Sequence, residues 1–278
     1  MPAEQAPPVD PLASLRAYCS RVGFDLDRAS GSLLERMRLL AERSKTFDDA
    51  TRTASYAERI FDHYDATKPS AKFTPLERRT VVLACLFSDV GKTGPVGADE
   101  ADRRLIVDMF SVEGVRDETQ PVSRFLRTYF PDDCEKRIAR FAALGLDPEM
   151  SMRQFWNLHS GWTLAVAEEA RLPPEAVAAA ATHHLLDDVN PQAIVGDDHR
   201  FTRDFGENRT FDRAEKLVIV LDKYDAVRRR GRRTHAEAIE WLRDRVASHP
   251  RFRGDRELET LIDDVDVVLK TSDEPAAG

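Results

Sequence analysis

Two runs in this chain are apolar on every side of a helix, Val81–Phe87 and Leu217–Leu221, and both lead into an aspartate, Asp89 and Asp222. A helix with no wet face cannot lie on a surface, so each must be walled in by other helices. The remaining sequence supplies such walls. Few stretches alternate with period two, glycine is sparse at 13 residues, and nearly every segment has helical periodicity. At 278 residues and 42% hydrophobic content, the chain can fill a substantial core. The reading is an all-α fold.

Start signals mark the helices. Thr74-Pro75-Leu76-Glu77 joins an N-cap, a proline at the first helical position and a capping-box glutamate, opening a helix to about Phe87. Thr234–Glu237 is a second capping box, with a helix to about Ala247. Residues 11–44 read as two short amphipathic helices broken near Gly23 and Gly31, followed by a longer one from about Phe47 to Tyr64. Short charged helices with turns at Gly114, Pro131 and Gly145 fill 98–150. Ser151–Ala170 is helical, and Pro173-Pro174 starts an alanine-rich helix ending at Thr182-His183-His184. Residues 187–210 read as polar turns, and helices follow at about Asp212–Arg229 and Asp255–Lys270.

Composition narrows the function classes. The net charge of −8 argues against coating nucleic acid, and direct nucleic-acid binding is not expected. Cys19, Cys85 and Cys134 form no CxxC pair and read as free thiols in a reducing compartment. The first ten residues are not a secretory signal. The longest apolar runs fall far short of the roughly 20 residues a membrane span requires. A cytoplasmic protein with no membrane partner is expected.

Chemistry is expected where polar groups interrupt apolar helices, because a buried charge must be paired or coordinate a metal. Asp89, His159, His183, His184 and Asp222 all occupy such positions, and Asp225 shares a helical face with Asp222. Singly, each has an ordinary structural explanation, as a cap, a salt-bridge partner or a helix-end histidine. Together they form a set of carboxylates and imidazoles of the kind divalent metals prefer.

Four segments in order resemble the HD-GYP branch of the HD phosphohydrolase superfamily. Ser88-Asp89-Val90-Gly91-Lys92-Thr93-Gly94 is similar to its HD-I-G-K-I-G signature, and His159-Ser160-Gly161 to its later His-x-Gly. Thr182-His183-His184 is similar to its HHE histidines, and Asp222-Lys223-Tyr224-Asp225-Ala226 to its D-x-y/f-D-A segment. Ala236-Glu237-Ala238 echoes its E-E-A helix start. The resemblance implies an HD-type helical bundle over 46–271, with an N-terminal extension at 1–45, partly disordered then helical. It also implies a helical insertion at about 98–150 and a disordered tail at 272–278. Residues 1–10 are read as disordered too.

The resemblance further implies Asp89, His159, His183, His184 and Asp222 as metal ligands, with one or two ions of iron, manganese or zinc. It implies Asp89 and Lys92 as catalytic residues, Lys92 neutralising a substrate phosphate. The expected activity is a phosphodiesterase on a nucleotide or cyclic dinucleotide such as cyclic di-GMP. Three departures favour a second reading, a signalling module that binds a nucleotide or partner protein without hydrolysis. Ser88 stands where the family has a ligand histidine, Leu185 replaces the glutamate of HHE, and Asp188-Val189-Asn190-Pro191 lies where G-Y-P would be. An early ligand histidine aligns with Asp49 or a neighbour.

Further candidates come from the residues themselves. Arg228 and Arg229, in the basic stretch ending at Arg233, are candidate phosphate contacts, set against a solvated helix end. Asp197-Asp198-His199 reads as a solvated loop, and His63, His235 and His249 as surface residues. Phe155, Trp156 and Trp162 read as core.

Overall fold

The computed structural model describes residues 10–229 and 231–270. The disordered segments expected at 1–10 and 272–278 fall almost wholly outside these residues, as does Arg230. Among the described residues the fold is all-α, with one two-stranded hairpin. The helices are α1 (Ala13–Arg21), α2 (Gly31–Arg43), α3 (Thr46–Thr67), α4 (Pro75–Phe87), α5 (Glu100–Phe110) and α6 (Val122–Tyr129). They continue with α7 (Cys134–Ala143), α8 (Met152–Glu169), α9 (Pro174–Ala181), α10 (Arg213–Arg229), α11 (His235–Ser248) and α12 (Arg256–Leu269).

Local chemistry sets the boundaries. Thr74 and Glu77 close the capping box of α4, and Thr234 and Glu237 close that of α11. Ser151 and Gln154 form a third, at the start of α8. Gly31 opens α2 rather than breaking a helix, because Ser30 before it accepts a bond from Leu33 N–H.

As their composition demands, α4 and α10 lie at the centre. Val81–Phe87 and Leu217–Leu221 are buried in one large apolar cluster. Helices α3, α9, α11 and α12 pack around them. The N-terminal pair joins the same cluster through Leu15, Leu33, Met37 and Leu40. A second apolar cluster gathers Leu105, Ile106 and Met109 of α5, Phe125 and Leu126 of α6 and Phe141 of α7. Met152 and Phe155 of α8 complete it, with Trp156 and Trp162 packed against its edge. Helix α8 therefore separates two cores, touching both.

Two expectations are corrected. Residues 187–210 are not all turns, since β1 (Arg200–Phe205) pairs antiparallel with β2 (Asn208–Thr210). The strand hides in the sequence because only Phe205 along β1 is fully buried, so the usual alternation is absent. His235 and His249 are buried, not surface residues. His235 lies between the Tyr224 hydroxyl and the Asp266 carboxylate, and His249 Nε2 is 3.1 Å from Asp188.

Candidate metal centre

Two helix ends and the middle of a third helix meet at the site: Asp89 follows α4, His183 and His184 follow α9, and His159 lies within α8. A short 3-10 turn, Val90–Thr93, follows α4 and crosses the backbone of α8. Gly91 makes this crossing possible, because a Cβ there would lie 2.0 Å from the carbonyl oxygen of His159 and 2.5 Å from Thr163 N. The Thr163 hydroxyl fastens the contact, accepting from Gly91 N–H and donating to the carbonyl of Ser88. From α2, buried Arg36 donates to Thr93 Oγ1 at 2.7 Å and to the carbonyls of Gly94 and Pro95 at 2.9 and 2.8 Å. With no carboxylate among these partners, burial lowers its pKa to about 10.

This framework brings Asp89, His159, His183 and His184 together, with one ligand atom from each within 4.8 Å of all the others. The protonation pattern follows from hydrogen bonding. His159 Nδ1 faces the carbonyl of Trp156, and His183 Nδ1 faces that of Ala180 at 2.7 Å. A carbonyl can only accept, so both rings carry their proton on Nδ1 and turn an Nε2 lone pair inward. The two Nε2 atoms are 3.2 Å apart, and Asp89 Oδ1 lies 3.4 and 3.6 Å from them. That oxygen is buried and accepts no hydrogen bond. Lone-pair atoms facing one another in this way are an arrangement that could hold a metal ion.

His184 completes the group. Its Nδ1 lies 2.7 Å from Asp187 Oδ2 and 2.5 Å from the Lys223 ammonium, so a carboxylate and a cation both hold this ring in place. Burial first, then Lys223, keeps its pKa well below the usual histidine value, so the ring is neutral. Burial also lowers the pKa of His159, against the opposing pull of Asp89. Burial opposes ionisation of Asp89, but Lys92, 2.6 Å from Oδ2, holds its carboxyl well below the usual range. Neutral imidazoles around an ionised carboxylate suit a divalent metal ion.

Asp222 stands apart from this group. It borders a cavity of about 20 Å³, room for about one water, with Ser88, Asp89, Asp49, Asp225 and Arg229. Burial disfavours its charge, but Lys223, 3.0 Å away, and the histidines bring its pKa down to about 2. Cys85 also lines the cavity, and burial pushes its thiol to about 12, so it offers no thiolate. Asp49 reaches the cavity wall with its carboxylate already engaged, by Arg52 at 2.6 Å and Arg229 at 2.6 Å.

The other sequence candidates are placed as follows. Lys92 is buried, with its ammonium on Asp89. Arg229 lines the cavity, and Arg228 donates to the carbonyl of Arg233. Leu185 lies in the apolar core, and Asp197 and Asp198 are exposed. Sequence reasoning missed Arg36, Thr163, Lys223 and Arg52. Two carried a readable signal. Arg36 interrupts the apolar stripe Leu33, Met37, Leu40, and Thr163 follows His159 by four residues, on the same helical face.

No protein-family model matches the chain, and no curated protein or solved structure matches it either. Fold and site together define an all-α protein with a His/Asp group able to hold a metal ion.

Proposed function

We propose that this chain is a metal-dependent phosphohydrolase of the HD type, acting on a phosphodiester of a nucleotide or cyclic dinucleotide, with cyclic di-GMP as the compound to test first. The observation that carries the reading is the convergence of Asp89 Oδ1, buried with no hydrogen-bond partner, with the inward nitrogens of His159 and His183.

Asp89, His159, His183 and His184 would hold the ion. A divalent cation there supplies Lewis-acid polarisation of a phosphoryl oxygen and activation of water. The chain's own residues prepare the site. Lys92 keeps Asp89 ionised and fixes its Oδ2, so that Oδ1 is presented to the imidazoles. Trp156 and Ala180 carbonyls fix the tautomers, and Asp187 orients His184. Arg229, on the wall of the neighbouring cavity, is held by Asp49 and Asp225.

A second reading, a module that binds a nucleotide or a signalling partner without hydrolysis, is favoured by one observation. Lys92, the residue the resemblance assigns to substrate phosphate, is committed to Asp89. Purified full chain loaded with Mn²⁺ or Fe²⁺ and incubated with cyclic di-GMP and simple phosphodiesters separates the two. Turnover abolished by Asp89→Ala supports the hydrolase, and metal binding without turnover supports the module. A protein that binds no metal sinks the hydrolase.

A further inference from the structure

We infer that the site takes a single divalent ion, and that the guanidinium pair Arg52 and Arg229 fills the electrostatic place of a second. This rests on the metal-binding reading above and concerns the cavity beside the histidines. Four carboxylates line that cavity, Asp49, Asp89, Asp222 and Asp225. Such a lining would draw cations if it were bare. It is largely neutralised, because each carboxylate has a cationic side chain within 3.0 Å, and only Asp89 Oδ1 and Asp222 Oδ2 among the described residues of this lining are buried without a hydrogen bond.

Arg52 bridges two of these carboxylates, placing Nε 2.7 Å from Asp225 Oδ1 and Nη2 2.6 Å from Asp49 Oδ1. Arg229 closes the ring from the other side, with Asp49 Oδ2 and Asp225 Oδ2 both at 2.6 Å from its Nη2. Lys92 holds Asp89, and Lys223 is shared between Asp222 and Asp187. Among these described residues, five carboxylates face four cations, leaving one negative charge beside neutral imidazoles. One dication brings the group to +1. A second would bring it to +3 in a place largely shielded from water, where like charges repel strongly.

The position beside Asp89 reinforces this. Ser88 offers a hydroxyl, and the 20 Å³ cavity has no room for a hydrated ion. Neither Asp49 nor Asp225 can turn a bare oxygen inward without breaking a guanidinium bond.

Metal content per chain, after saturation with Mn²⁺ and removal of free ion, tests the inference, together with the Mn²⁺ magnetic-resonance spectrum. Wild type is expected to hold one ion and give the spectrum of isolated Mn²⁺. Arg52→Met/Arg229→Met bares Asp49 and Asp225 and is expected to hold two, with a coupled-pair spectrum. Arg52→Lys/Arg229→Lys keeps the charge and is expected to hold one. If the double methionine variant does not fold, Ser88→His in the wild-type background decides. It adds an imidazole but leaves both guanidiniums, and one ion is expected. Two ions in wild type or in Ser88→His overturns the inference while leaving the metal-binding reading intact. A folded methionine variant that still holds one ion also overturns it. No ion in wild type removes the reading beneath it.

Discussion

Asp89 and Asp225 are carboxylates on neighbouring helical elements, facing the same cavity, yet their surroundings are opposite. Asp225 is held by both Arg52 and Arg229 through three contacts of 2.8 Å or less. Asp89 has one oxygen on Lys92, while the other, buried, faces two imidazole lone pairs with no donor. A saturated carboxylate holds the protein together. One left unsatisfied at the cost of burial marks a place where something else binds. Asp225 is read as structural and Asp89 as ligand-bearing, and the two should respond differently to mutation.

The largest expected effect is on the unsatisfied side. Asp89→Ala or His183→Ala should weaken Mn²⁺ binding on the order of 100-fold or more, measured by isothermal titration calorimetry. Asp187→Ala, removing the group that orients His184, should cost on the order of 10-fold. On the saturated side the readout changes. Asp225→Ala leaves Arg52 and Arg229 short of a partner and should cost about 3 kcal/mol in urea unfolding, with a much smaller change in metal affinity than Asp89→Ala. If Asp225→Ala abolished metal binding and left stability unchanged, the distinction would collapse.

Gly91 tests the frame that both sides share. A methyl group there collides with the His159 carbonyl, so Gly91→Ala should destabilise by about 2–3 kcal/mol and weaken metal binding too, because backbone cannot yield as a side chain would.

Glu215 sharpens the comparison from the far end of α10. It is fully buried with no cation beside it, and burial, then Asp212, raises its pKa well above the usual value. The folded state therefore holds this proton more tightly than the unfolded chain. Its contribution to stability is complete below the unfolded pKa and is lost as pH rises through the folded one. Glu215→Gln should thus gain stability relative to wild type between pH 5 and pH 8, by about 1.4 kcal/mol for each unit of elevation. Urea midpoints of both proteins at the two pH values measure it. A gap that does not change with pH would show that Glu215 ionises normally.

These contrasts also show what a sequence reveals. The helices and their capping boxes were legible because Thr74–Glu77 and Thr234–Glu237 are local signals. The candidate ligands were legible because each interrupts an apolar helix, although only the fold could show that four of them meet while Asp222 stands aside. The Arg52–Asp225 pair was illegible. Its members lie 173 residues apart, and no periodicity links an arginine on one helix to an aspartate on another. Burial of His235 and His249 escaped notice for the same reason, since their partners Asp266 and Asp188 come from distant segments. The β1–β2 hairpin was missed because it turns little of itself inward.

Helix α8 belongs to two cores at once. Its Phe155 sits in the smaller one, where the Phe110 ring stacks at 4.8 Å. That same Phe110 ring touches the imidazole of His159 edge-on, at 5.7 Å. One beam thus bears two floors, and a load on either is felt by the other. Whatever settles on or unseats the α5–α7 unit presses, through the Phe110 ring, on the imidazole of His159.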